Sequence, residues 1–91
     1  METKNKAVLT VLGNDTTGII AKVSAVLFRH TANILDISQT VLSGMFNMIM
    51  IVDLRDSVFS ELADDLETLG QEIGVQIRIQ RTEIFDAMHR V

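Results

Sequence analysis

The sequence predicts an α+β domain of strand-helix-strand-strand-helix-strand order: a four-stranded antiparallel sheet, two helices on one face and a short C-terminal helix. Three observations carry that expectation. Two segments repeat apolar residues at three-and-four spacing, four others are continuously apolar or alternate, and glycine-containing breaks separate most of them. At 91 residues the chain is the length of one domain, taken as 1–91.

Residues 7–12 (AVLTVL) read as the first strand, apolar at nearly every position and so expected to be central and covered on both faces. The stretch 13–18 (GNDTTG) breaks it. A helix over about 18–30 follows, with Ile19 or Ile20, Val23, Val26 and Leu27 on one side. Segments 33–42 and 45–54 read as a hairpin about Ser43-Gly44, the glycine supplying a positive φ. A two-residue turn sets Leu42 opposite Met45. One face then gathers Leu35, Ile37, Val41, Phe46, Met48, Met50 and Val52, with Gln39 its only polar member. The other gathers Asp36, Ser38, Thr40, Asn47, Ile49, Ile51 and Asp53, and a slip of one residue would mix the two sets. The second helix, about 58–73, carries Phe59, Leu62, Leu66, Leu69 and Ile73, with Ser57 placed to cap it and Gly74 to end it. Residues 75–80 (VQIRIQ) alternate as a half-buried strand, and Thr82 opens the terminal helix that presents Ile84, Phe85 and Met88.

This order favours the ferredoxin-like βαββαβ arrangement, with strands one and three in the middle and both crossovers right-handed. The helix-free face then acquires a centre of Val8, Leu12, Ile49 and Ile51 around Thr10. Polar margins flank it: Asp36, Ser38 and Thr40 on one edge, Gln76, Arg78 and Gln80 on the other. An apolar stripe with polar margins reads as a buried interface, and 47% hydrophobic residues is a high share for a chain this short, whose own core is thin. A homo-oligomer, with a homodimer as its simplest form, is therefore expected.

Composition narrows the function. A net charge of −4 argues against nucleic acid as the main partner. No apolar run approaches the roughly 20 residues of a membrane helix, and no secretory core follows Met1, so a cytoplasmic protein is expected. The chain has no cysteine, and His30 and His89 are expected in capping or surface roles; no metal or cofactor is implied. His30 falls at a helix end, where an imidazole suits the dipole. Met45, Met48 and Met50 read as core filler, and the acids of the second helix as its wet face. An RNA-binding sheet would show aromatics on strands one and three; strand one has none, and Phe46 falls on the helix-packed side.

The break at 13–18 is the one loop with chemistry. As a turn it needs no further account, since Asn, Asp, Thr and Gly are turn and cap residues. As a site it offers the free N–H groups of a helix start to an anion, glycines that admit a ligand to the backbone, and Asp15 to a cation. That combination matches a zwitterion such as a free amino acid. A phosphate loop would carry Lys or Arg, and this one has neither.

The run Asp15-Thr-Thr-Gly18-Ile19, the apolar Val23, Val26 and Leu27, and Ala32-Asn33-Ile34-Leu-Asp36 together resemble the first half of an ACT domain. The resemblance covers essentially the whole chain, and residues 33–40 (NILDISQT) and 84–90 (IFDAMHR) look like the small bacterial and archaeal proteins made of one such domain. It implies a ferredoxin-like regulatory module that binds an amino acid or another small effector, usually where two copies meet. It implies no catalysis, and it allows a partner enzyme or regulator. By position it implies ligand contacts from Asn14, Asp15, Thr16, Gly18 and Ile19 in the turn, and from Asn33 and Ile34 at the entry to strand two. Many effector-binding members carry Pro before the turn glycine, where this chain has Thr17. The serine-binding type carries His and Asn where Gly13 and Asp15 stand here, so serine specificity is not implied. A pure assembly domain on the same fold is the competing reading.

Overall fold

The computed structural model describes residues 5–14 and 17–82. Its elements are β1 (Lys6–Asn14), α1 (Ile19–Arg29), β2 (Asn33–Leu42), β3 (Met45–Asp53), α2 (Phe59–Ile73) and β4 (Val75–Arg81). The strands form one antiparallel sheet in the order β2-β3-β1-β4, the ferredoxin-like topology expected from the element order. Asp15, Thr16, His89 and the expected terminal helix with Ile84, Phe85 and Met88 lie outside the described residues.

The core forms between the two helices and one face of β1, β3 and β4. Ala7, Leu9 and Val11 alternate into it from β1, and Phe46, Met48, Met50 and Val52 do so from β3. Ile19, Val23, Val26 and Leu27 answer from α1, and Leu62, Leu66 and Leu69 from α2, with Phe59 and Ile73 half-buried at its ends. Both helical stripes are the ones the spacing predicts. β1 is central, as expected, but only its helix side is closed; Leu12 on the other side is 43% exposed.

The hairpin turns on Ser43 (φ 54°) and Gly44 (φ 80°), both left-handed, which matches the twist of the strands it joins. The predicted register holds from Leu42↔Met45 back to Asp36↔Ile51. It then shifts: Ile34, and not Leu35, pairs with Val52. Leu35 is a β-bulge residue left exposed, Ile34 takes the place against the core, and Asn33 is turned to the helix-free side.

Three further expectations are corrected. Met45 at the hairpin end is exposed, because the helix layer does not reach it. Ile37 and Val41 lie on the helix side of β2 yet remain exposed, for the same reason. Ser57 does not cap α2, which begins from Val58 with no side-chain cap. Its hydroxyl instead donates to the carbonyl of His30 at 2.6 Å, where α1 ends and a carbonyl needs a partner. His30 closes α1 as expected, but its half-buried imidazole also bonds Asp65 of α2 at 2.7 Å. These bonds tie the end of α1 to α2 and to the segment that leads into it. At the start of α2, the guanidinium of Arg81 lies 5.0 Å over the Phe59 ring and ties β4 to the helix.

Gly70 sets how closely α2 lies on β4. A Cβ built there would stand 2.7 Å from the Val75 carbonyl oxygen, a backbone atom that cannot swing aside. Alanine in a helix interior ordinarily gains about 1 kcal/mol over glycine. Here Gly70→Ala is expected to lose stability, because displacing α2 from the sheet costs about 1–3 kcal/mol. Urea denaturation of the two proteins reads the sign directly.

Candidate functional site

The turn after β1 delivers the chain to α1 through Gly18, whose φ of 83° is left-handed and strains any residue with a Cβ. Gly18 is the N-cap residue, and its carbonyl accepts the first helical bond from Lys22 N–H at 2.9 Å. The N–H groups of Ile19, Ile20 and Ala21 precede that bond and point out of the helix end, where they carry its partial positive charge. The Ile19 side chain is buried in the core, so only its backbone faces the helix end. Asn14 ends β1 with its side chain exposed.

A groove of about 420 Å³ opens beside this helix start, lined by residues 18–21 on one wall, by Gln39, Thr40 and Val41 of β2 on the other, and by Phe46. Sequence reasoning did not place Ile20, Ala21 or 39–41 at the site. Its one trace was Gln39, the lone polar residue in an apolar face of the hairpin. A larger concavity of about 500 Å³ lies at the opposite edge, between α2 and β4. It lies on the side of Glu67, Gln71 and Arg78 and has no helix start, so the smaller groove is the better candidate.

The expected site residues divide into two sets. Asn14, Gly18 and Ile19 come together at one end of the sheet. Asn33 and Ile34 do not join them within one protomer. Asn33 pairs with Asp53, which pairs with Lys6 at the beginning of β1; Asn14 pairs with Met45, which pairs with Leu42. The two sets therefore stand at opposite ends of the sheet, about 26 Å apart at 3.3 Å per strand residue. Asn33 is exposed there, and Ile34 is half-buried against the core.

Among the described residues no group of three His, Asp or Glu could hold a metal, and no buried side-chain polar atom lacks a partner. No described helix is long and apolar enough to cross a membrane. Asp36 and Asp53, on the helix-free face, each accept a backbone N–H nearby, from Ile37 at 2.9 Å and from Arg55 at 3.1 Å.

The fold is shared with a family of regulatory ligand-binding modules. The ACT domain family model matches residues 5–80, and the chain belongs to that family. A UPF0237 protein of Bifidobacterium longum is 55% identical over 89 residues, covering 96% of this chain and 99% of that one. An ACT domain protein from Streptococcus pneumoniae superposes with a TM-score of 0.81 at 42% identity, over 92% of this chain and 97% of that one. The ligand-free regulatory subunit of aspartate kinase from Thermus thermophilus superposes with a TM-score of 0.68 at 25% identity, over 86% of this chain and 52% of that one.

Gly18→Ala is expected to cost about 1–2 kcal/mol, the penalty for a Cβ in the left-handed region. Gly18→Asn should cost less, since Asn tolerates that region. Guanidinium melts of the three proteins check the order.

Proposed function

We propose that the protein is a non-catalytic regulatory module of the cytoplasm that binds a free amino acid at a site completed by a second copy of the chain. The observation that carries this reading is the separation of the two sets of site residues. The helix start with Asn14 and Gly18 lies at one end of β2, and Asn33 begins β2 at the other.

β2 is an edge strand, and nothing in the described protomer pairs its outer side. A second copy adding its own β2 antiparallel would bring its residues 33–34 beside residues 41–42 of the first. That position adjoins the groove at the helix start. Two equivalent sites result, one at each end of the shared seam. Apolar surface supports the pairing. Phe28 of α1 is 82% exposed, two turns along from Ala21 in the groove wall, and Ile37 and Val41 stand exposed on the same side of the sheet. A long apolar edge left open invites pairing, which a dimer satisfies.

The chemistry fits a zwitterion. The N–H groups of Ile19, Ile20 and Ala21 suit the carboxylate. Asp15 and Thr16, with Asn33 and Ile34 of the second copy, are assigned the ammonium end and the backbone. The apolar wall of Ile20, Val41 and Phe46 takes the side chain. The loop and the groove wall carry no cation of their own, although the Lys22 side chain stands near Gly18, and the net charge of −4 disfavours nucleic acid. Membership in a family of regulatory modules supports an output passed to a partner enzyme or regulator, and the regulatory subunit of aspartate kinase among the similar structures is in keeping with that.

A thermal-shift screen against the free amino acids tests the reading. A ligand at a hundred times its Kd adds about 2.7 kcal/mol to the folded state, or roughly 10–20 °C for a domain this small. The amide and the N-acetyl form of the same amino acid should each lose most of the shift. Asp15→Asn and Asn33→Ala should each abolish it, and their mixture should recover part, because a mixed pair holds one intact site. No shift with any amino acid at millimolar concentration would leave the assembly-domain reading in its place.

A further inference from the structure

The helix-free face of the sheet has a charge arrangement that its apolar centre does not require. Strand pairing lays the face out in rows running from β2 through β3 and β1 to β4. One row reads Asp36, Ile51, Val8, Gln80; the next Ser38, Ile49, Thr10, Arg78; the next Thr40, Asn47, Leu12, Gln76. Above the first of these stand Asp53 on β3 and Lys6 on β1, which are paired. Among the described residues, the charges of this face are thus segregated. Both acids, Asp36 and Asp53, lie on the β2–β3 half, and both bases, Lys6 and Arg78, lie on the β1–β4 half.

We propose that this face docks a second copy of the chain, sheet against sheet, about a twofold axis that runs parallel to the strands between β3 and β1. That rotation exchanges the halves and keeps each row level. The acidic half of one copy then covers the basic half of the other. Ile51 and Ile49 lie over Val8 and Thr10 of the second copy, and Asp36 lies one row from its Arg78, within an arginine's reach. A twofold perpendicular to the strands would instead lay each column on itself and bring no opposite charges together. Either in-plane axis keeps the strands of the two sheets aligned, as stacked sheets pack, so the charges alone choose between them.

The area suffices. Four strands about 4.8 Å apart, paired over about eight residues, give a footprint of roughly 19 by 26 Å per copy, so about 1,000 Å² is covered in all, the lower bound for a specific interface. The centre is apolar and half-exposed, Leu12 at 43% and Ile49 at 46%, with polar margins around it. Val8, Leu12, Ile49 and Ile51 form the contact, and Asp36 and Ser38 form its rim with Arg78. This contact is separate from the β2 seam of the effector site and needs no effector.

Absence of cysteine allows a direct test. Thr10→Cys puts one thiol near the centre of the face. Across stacked sheets about 10 Å apart, two such residues stand about 11 Å from each other; across a β2 seam they would be five strand spacings, about 24 Å, apart. A short bis-maleimide of about 10 Å span, applied without any amino acid at micromolar protein, should therefore cross-link Thr10→Cys into a dimer. Adding Asp36→Arg or Arg78→Asp, both at exposed positions, should reduce the cross-link at least tenfold at low salt. The double exchange, Asp36→Arg with Arg78→Asp, should restore it. A Thr10→Cys protein that stays monomeric on the gel overturns the proposal, and so do charge variants that cross-link as well as their parent. A double exchange no better than the single changes overturns the assigned axis. Failure of the amino-acid screen bears on none of these outcomes.

Discussion

The close approach of α2 to β4 at Gly70 is the constraint from which the rest of this molecule follows. With no Cβ between helix and strand, α2 settles over β4 and β1. α1 is then drawn to α2 by the His30–Asp65 bond and by the Ser57 hydroxyl on the His30 carbonyl. Both helices thus favour one side of a four-stranded sheet. β3, β1 and β4 share a sealed core, while β2 keeps apolar residues in the open and a groove runs between it and the start of α1. One missing methyl group at residue 70 is, in this sense, upstream of the candidate site at the other side of the fold.

Most of the architecture was legible because it rests on local periodicity. The stripes of both helices, the alternation of β4 and the two-residue turn at Ser43-Gly44 are each decided within a few neighbouring residues. Their agreement with one topology left little freedom for the chain. Tertiary competition accounts for the failures. Ser57 has the right type and position for a cap, but the orphan carbonyl ending α1 lies closer to hand than the N–H groups of α2. Leu35 satisfies the alternation of the hairpin as well as Ile34 does, and nothing in the order of residues says which of the two will be left over. The exposure of Met45, Ile37 and Val41 depends on where the helices lie, which no strand can report.

The candidate site was legible by halves. The turn announces itself through its residue types, and the open N–H groups at Ile19 to Ala21 follow from any helix start. Its second wall, from Gln39 to Val41, comes from a strand 20 residues further along and could be found only through the fold. The distance between the turn and Asn33 was invisible for a related reason. Sequence places two short motifs in order along the chain, and an antiparallel sheet decides whether they share an end. Here they do not, so a list of contacts that reads as one pocket does not form one within a protomer.

The bulge at Leu35 has a consequence that concerns parity. Along a strand, every residue inserted or removed exchanges inside for outside for all that lies beyond it. The hairpin turn governs β2 from Leu42 back to Asp36, and the short connection from α1 governs how the strand begins. These two authorities disagree by one residue, and Leu35 absorbs the disagreement. Were the strand regular with Leu35 kept in register, Leu35 would take the place opposite Val52, Ile34 would be handed to water opposite Asp53, and Asn33 would turn its amide into the apolar layer beneath the helices. The chain can therefore tune its hairpin and its entry loop separately, with one spare residue acting as the odd count between them.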